Sequence, residues 1–186
     1  MNAKHREPLT LDQYQDMGEM FSTESDRGAA VLAGSFLEAY VGDYLMSLIA
    51  QEKKSKQFVD QLTGANGALA TFSQRSAVAY AFGLIDKQTF SDLSLIRKVR
   101  NHFAHHPTEA TFDDDDAGPA INKLSAAQMI KTEAIGTEAE KNRFCYLTAC
   151  GMTVINIEQH RFQFKVFQQL TSKGNAATQH PTNDNA

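Results

Sequence analysis

Residues 97–106, RKVRNHFAHH, gather the side chains best suited to chemistry: two arginines, a lysine and three histidines in ten positions. Several kinds of chemistry use such a set. Lysine and arginine neutralise the phosphates of a nucleic acid. Histidines at i, i+3 and i+4, here His102, His105 and His106, could seat a transition metal. An arginine with a histidine five residues on could stabilise a phosphoryl transition state and move its proton. The plainest use is to answer the dipole at the end of a helix. The metal reading lacks further ligands. Cys145 and Cys150 lie five apart in a helical stretch, on different faces, and no well-placed carboxylate completes a set. They read instead as small buried hydrophobes in a reducing compartment, and neither a metal nor a cofactor is expected.

A helical wheel at about 100° per residue divides the segment. Leu93, Val99 and Phe103 fall within about 60° of Ile96, and Arg100 falls at about 40°, inside the apolar stripe. A guanidinium there cannot shed its charge, so it needs a buried carboxylate or a wet cleft, unless it snorkels along the edge of the bundle. Asp26 shares a face with Ala29, Ala30, Ala33 and Phe36, which makes Asp26, or failing that Glu24, the expected partner of Arg100. Arg97, Lys98 and Asn101 lie on the flanks or outer face. They form a small basic edge, but aromatic stacking residues are missing, an acidic loop follows, and no helix-turn-helix can be drawn. His105 lies about 140° round from Arg100. The two converge only if the helix frays before Pro107, or if two protomers set their motifs against each other.

Helices must position these groups. Apolar residues recur at helical spacing, and no turn dipeptide separates β-branched runs, which points to an all-α, single-domain multi-helix bundle. A short helix is expected over Leu11 to Phe21. A long one follows over Glu24 to Gln51, opened by a Thr23/Asp26 capping box, with a stripe from Ala29 through Leu32, Leu37, Val41 and Leu48. The glycine-bearing stretch after it allows at most a turn at Phe58 to Leu62. A helix over Thr71 to Phe82 should stop at Gly83, and the one bearing the motif at His106, before Pro107. The loop PTEATFDDDDAGPA has aspartates placed to cap a short helix through Ile121 and Leu124. Thr137 and Glu140 should open a last long helix from Glu138 to Leu170, with Phe144, Leu147, Gly151, Val154, Ile155 and Phe162 along it. Residues 1–170 thus read as one helical domain, and the polar 171–186 as a disordered tail.

The 186 residues suit one domain with a real core. A net charge of -4 argues against a surface that coats nucleic acid, leaving room only for a local patch. No apolar run is long enough to span a bilayer, and MNAKHREPLT lacks the apolar region of a secretory signal, so a cytoplasmic protein is expected.

Four segments taken in order, TESDRGAAVLAGSFLEAYV, ATFSQRSAVAYAFGLI, FSDLSLIRKVRNHFAHHP and FDDDD, resemble the mannitol operon repressor family over about residues 20 to 125. The resemblance implies an all-helical domain that negatively regulates transcription of a mannitol-utilisation operon, acting by macromolecular contact and not as an enzyme. It allows a protein partner such as the phosphocarrier of the sugar phosphotransferase system, with DNA contacted directly or indirectly, and a homodimer is the expected form. The family's signature maps onto Ser25, Asp26, Arg27 and Gly28, onto Phe72 and Ser73, and onto Arg100, Asn101, Phe103, Ala104 and His105. RNHFAH also resembles the motif of HEPN-type helical ribonucleases. There, arginine and histidine from two protomers form a metal-independent site that cleaves RNA through its 2′-hydroxyl. That alternative implies that Arg100 stabilises a pentavalent phosphate and His105 acts as acid or base, or that the chain is an inactive RNA-binding relative.

Overall fold

The computed structural model describes residues 10–49, 55–106, 108, 110–131 and 135–177. Among them it has eight helices and no strand: α1 (Leu11–Thr23), α2 (Asp26–Ser47), α3 (Lys56–Thr63), α4 (Phe72–Ala81), α5 (Lys87–His105), α6 (Gly118–Ile121), α7 (Ser125–Met129) and α8 (Glu138–Ala177). The all-α multi-helix bundle read from the periodicity is the fold.

Local chemistry sets most helix ends. Thr10 with Gln13, and Thr71 with Gln74, form reciprocal boxes at the starts of α1 and α4. Thr137 and Glu140 do the same for α8, as expected. At α2 the expected box of Thr23 and Asp26 does not form. Ser25 is the cap, its hydroxyl oxygen accepting the Gly28 N–H, while the Thr23 hydroxyl turns back to donate to the Met20 carbonyl. The aspartate run likewise places no side-chain cap on α6, which starts after Ala117 with Pro119 in its first turn. Gly83, at φ 66, lets the Leu84 N–H reach back to the Ala79 carbonyl and ends α4. The motif helix α5 stops at His105 with His106 as its cap; Pro107 lies outside the described residues.

Two elements extend past their expected bounds. The single turn near Phe58 is the helix α3, and α8 continues through 171–177, which composition placed in the tail. Residues 178–186 lie outside the described residues.

α2 is the central strut, packed by α5, α8, α4 and α1. Its first half is lined by buried Ala29, Ala30, Ala33 and Gly34, small enough to let other helices come close, and its second half by Leu37, Tyr40, Val41 and Tyr44. Full burial of one large apolar side chain is worth about 1.5–3 kcal/mol, so this core outweighs the charge pairs around it. The expected stripe on α2 holds except at Leu32 and Leu48, which are exposed. The stripe on α8 is a clear correction. Of its members only Val154 is buried. Tyr146, Ala149, Cys150 and Ile157 face the core instead, and Phe144, Ile155 and Phe162 face outward.

Candidate functional site

The second half of α5 is held by three neighbours: the start of α2, the loop before α6 and the start of α8. The Arg27 Nε donates to the Phe103 carbonyl at 3.3 Å, satisfying one of the free acceptors in the last turn of α5. One turn back, the stem of Arg100 lies against Gly34: a Cβ there would stand 2.7 Å from both Cβ and Cγ of Arg100. α2 and α5 therefore run antiparallel, with Phe103 level with the start of α2 and Arg100 level with its middle.

That register decides the fate of Arg100. Its Nη2 donates to Glu38 Oε2 at 2.5 Å, with side chains 21% and 24% exposed. Its Nε is buried without a hydrogen-bond partner, and the guanidinium lies 6.0 Å from the centre of the Phe72 ring. Arg100 is thus half-buried and paired with a carboxylate, as its place on the wheel demands, but the partner is neither Asp26 nor Glu24. At about 1.5 Å per residue, Asp26 lies about 18 Å along α2 from Glu38. The overlooked signal was Glu38 itself, a carboxylate set between Leu37 and Val41 in the apolar run of α2.

Asp26 is instead bound by Arg143 of α8. Nη1 of Arg143 donates to Asp26 Oδ1 at 2.5 Å, while Nη2 donates to the carbonyls of Phe21, Ser22 and Glu24 at 3.3, 3.0 and 2.6 Å. One guanidinium so clamps the α1–α2 junction to α8. The Tyr146 hydroxyl adds a buried bond to the Ala30 carbonyl at 2.9 Å. Sequence reasoning missed Arg143 because it sits beside exposed Phe144 on a helix read for its apolar residues.

The histidines separate. His102 Nε2 meets Asp114 Oδ2 at 2.8 Å, and His106 Nδ1 bonds the His102 carbonyl at 3.0 Å. The Thr111 hydroxyl, then His102 and the Thr111 N–H, hold the Asp114 carboxyl down at about 2. His105 is exposed, as are His106 and Lys98. Lys98 reaches Asp116 at 3.5 Å, a solvent-screened pair, and Arg97 and Asn101 are partly exposed beside it. The aspartates at 114 and 116 thus answer the basic edge of the motif. No cluster of three or more metal-ligating side chains occurs among the described residues. Burial pushes the Cys145 and Cys150 thiols up, which keeps both protonated and unreactive.

Two further polar groups were not legible beforehand. Buried Asp92 accepts from the Ser125 N–H at 3.1 Å and from its hydroxyl at 2.5 Å, tying α7 to α5. The Tyr40 hydroxyl and Arg161 Nη1 both donate to Glu158 Oε1, at 2.5 and 3.2 Å, joining α2 to α8.

The arrangement is that of a scaffold with one accessible, mixed-charge edge. A family model described as MtlR, mannitol repressor, matches residues 22–171. That stretch runs beyond the segments that carry the resemblance and takes in most of α8. No curated protein matches the chain. Among solved structures, a chain in the X-ray structure of the MtlR-HPr complex from Escherichia coli is similar, with a TM-score of 0.62 at 18% sequence identity. The match covers 77% of this chain and 97% of that one, and the likeness is one of fold.

Proposed function

From the premise that the chain belongs to the mannitol repressor family, we propose that it represses a mannitol-utilisation operon from the cytoplasm, working through a phosphocarrier protein of the HPr kind. The observation that carries this is the family match over residues 22–171, which takes in the motif helix and the Asp26 to Arg143 pair. The solved relative of the same fold is a complex with HPr, which supports a protein partner here. DNA is contacted indirectly or through the short edge of Arg97 and Lys98, since the described residues offer no long basic helix for a groove.

The chain acts by contact and not as an enzyme. A catalytic Arg100 must be free to turn toward a phosphate. This one is held by Glu38 and pressed on Gly34, while His105 stands in solvent. Asp26, Arg27, Arg100, Asn101 and His105 are better read as signature positions of the scaffold than as a reaction centre.

Titration calorimetry of the purified chain with the phosphocarrier of its own organism, in free and phosphorylated forms, tests the reading. Binding to one form in preference, together with salt-sensitive retardation of operator DNA in its presence, is expected. No binding to either form and no retardation with or without it would sink the proposal. RNA cleavage that survives a chelator and disappears in Arg100→Ala would favour the ribonuclease instead.

A further inference from the structure

α8 is apolar on two opposite faces. At about 100° per residue, Tyr146, Ala149, Cys150, Thr153 and Ile157 cluster round one direction, and these face the core. Phe144, Gly151, Ile155, Phe162 and Val166 fall within about 30° of a common direction about 180° away. The large apolar side chains of this second stripe are exposed. Phe144 is 46%, Ile155 47% and Phe162 69% exposed, and a Cβ on Gly151 would find nothing within 4 Å. A helix with apolar residues on two opposite faces can bury only one of them against the core, which leaves the other for a second partner.

The order of residues along the stripe says what the second partner is. Phe144 and Phe162 lie nine residues either side of position 153, and Gly151 and Ile155 two either side. Such a stripe fits itself when two copies run antiparallel about a two-fold axis at 153. Phe144 of one copy then packs on Phe162 of the other, and each Ile155 enters the hollow left at the opposing Gly151.

Charge follows the same symmetry. Exposed Glu140 and Lys165 lie on one flank of the stripe, about 40° and 60° from its Phe144 line. The two-fold axis keeps that flank on the same side of the pair, so Glu140 of each copy stands beside Lys165 of the other, about 1.5 Å from level. A parallel pair would bring Gly151 level with Gly151 and would put the Glu140 flanks on opposite sides of the pair, with Lys165 of either copy far along the axis from Glu140 of the other.

We propose that this face of α8 is a self-association surface: two chains pair antiparallel through Phe144, Gly151, Ile155 and Phe162, closed at both ends by Glu140 and Lys165. The inference does not rest on the regulatory reading, since it follows from α8 alone.

Sedimentation of the full chain is expected to show a dimer. Gly151→Arg points into space that is empty in the single chain, so it should keep the helical circular dichroism while weakening the dimer by at least about tenfold. Lys165→Glu should also weaken it, while leaving the Thr137 and Glu140 box at the start of α8 in place. Under oxidation, a mixture of Phe144→Cys and Phe162→Cys proteins should cross-link, and neither variant should do so alone. A chain that is monomeric at every concentration, a dimer indifferent to Gly151→Arg, or cross-links only between like positions would each overturn the proposal.

Discussion

The Arg100 guanidinium and the Glu38 carboxylate meet at 2.5 Å across the seam between α5 and α2, partly screened from water. Removing one member leaves the other without its counter-charge. Glu38→Gln should destabilise the fold by about 2 kcal/mol, below the usual figure for a fully buried pair because both side chains keep some solvent contact. Glu38→Gln with Arg100→Met should recover part of the loss. Urea midpoints of the two single variants and the double one measure the coupling, and strictly additive losses would show that the pair contributes nothing of its own.

Gly34 makes this pair possible. In a helix interior, alanine for glycine normally adds about 1 kcal/mol of stability. At this position the new Cβ would stand 2.7 Å from two carbons of Arg100 and 3.0 Å from the Tyr146 hydroxyl. Gly34→Ala should therefore lower stability, by about 1–3 kcal/mol as for other overpacked cores. An unchanged or raised melting temperature would mean that α2 and α5 can slide apart freely.

Arg143 should matter out of proportion to its place on a helix surface. Arg143→Ala removes the Asp26 pair and three carbonyl bonds at once, at a cost of about 2–4 kcal/mol. Arg143→Lys should restore little, because an ammonium cannot reach along both arms of the guanidinium fork. The loss should appear as faster amide exchange in α1. Exchange that quickens evenly over the whole chain would count against a local clamp.

The Asp114 carboxyl should leave its mark on the acid limb of stability. Its folded value is lowered from 3.8 to about 2 by Thr111 and His102. The stabilisation is thus complete above the unfolded value and is lost as pH falls from about 4 toward 2. Stability curves of the protein and of Asp114→Asn should differ most above that window and draw together within it. A constant gap across it would place the acid sensitivity in another group.

Much of this molecule was legible residue by residue. The boxes at Thr137 and Glu140, the stop at Gly83, the end of α5 and the half-buried place of Arg100 all follow from interactions spanning three or four residues. The same local rules placed the α2 cap two residues too early, at Thr23 instead of Ser25, because both are suited to capping and only the path of the chain from α1 chooses between them. What lay beyond local rules was the register between helices. A wheel shows that Arg100 faces inward but cannot tell whether residue 26 or residue 38 of α2 will stand opposite, since that depends on where Phe103 comes level with Arg27. The wheel is equally blind on α8, whose two apolar faces look alike from within the helix. Packing against α2 buried the face of Tyr146 and Ile157 and left that of Phe144 and Phe162 outward, a choice made by shape over long sequence separations. The sequence by itself determined that the chain is helical, where most helices begin and stop, and that Arg100 needs a carboxylate; tertiary packing alone decided which carboxylate it finds and which side of α8 stays open.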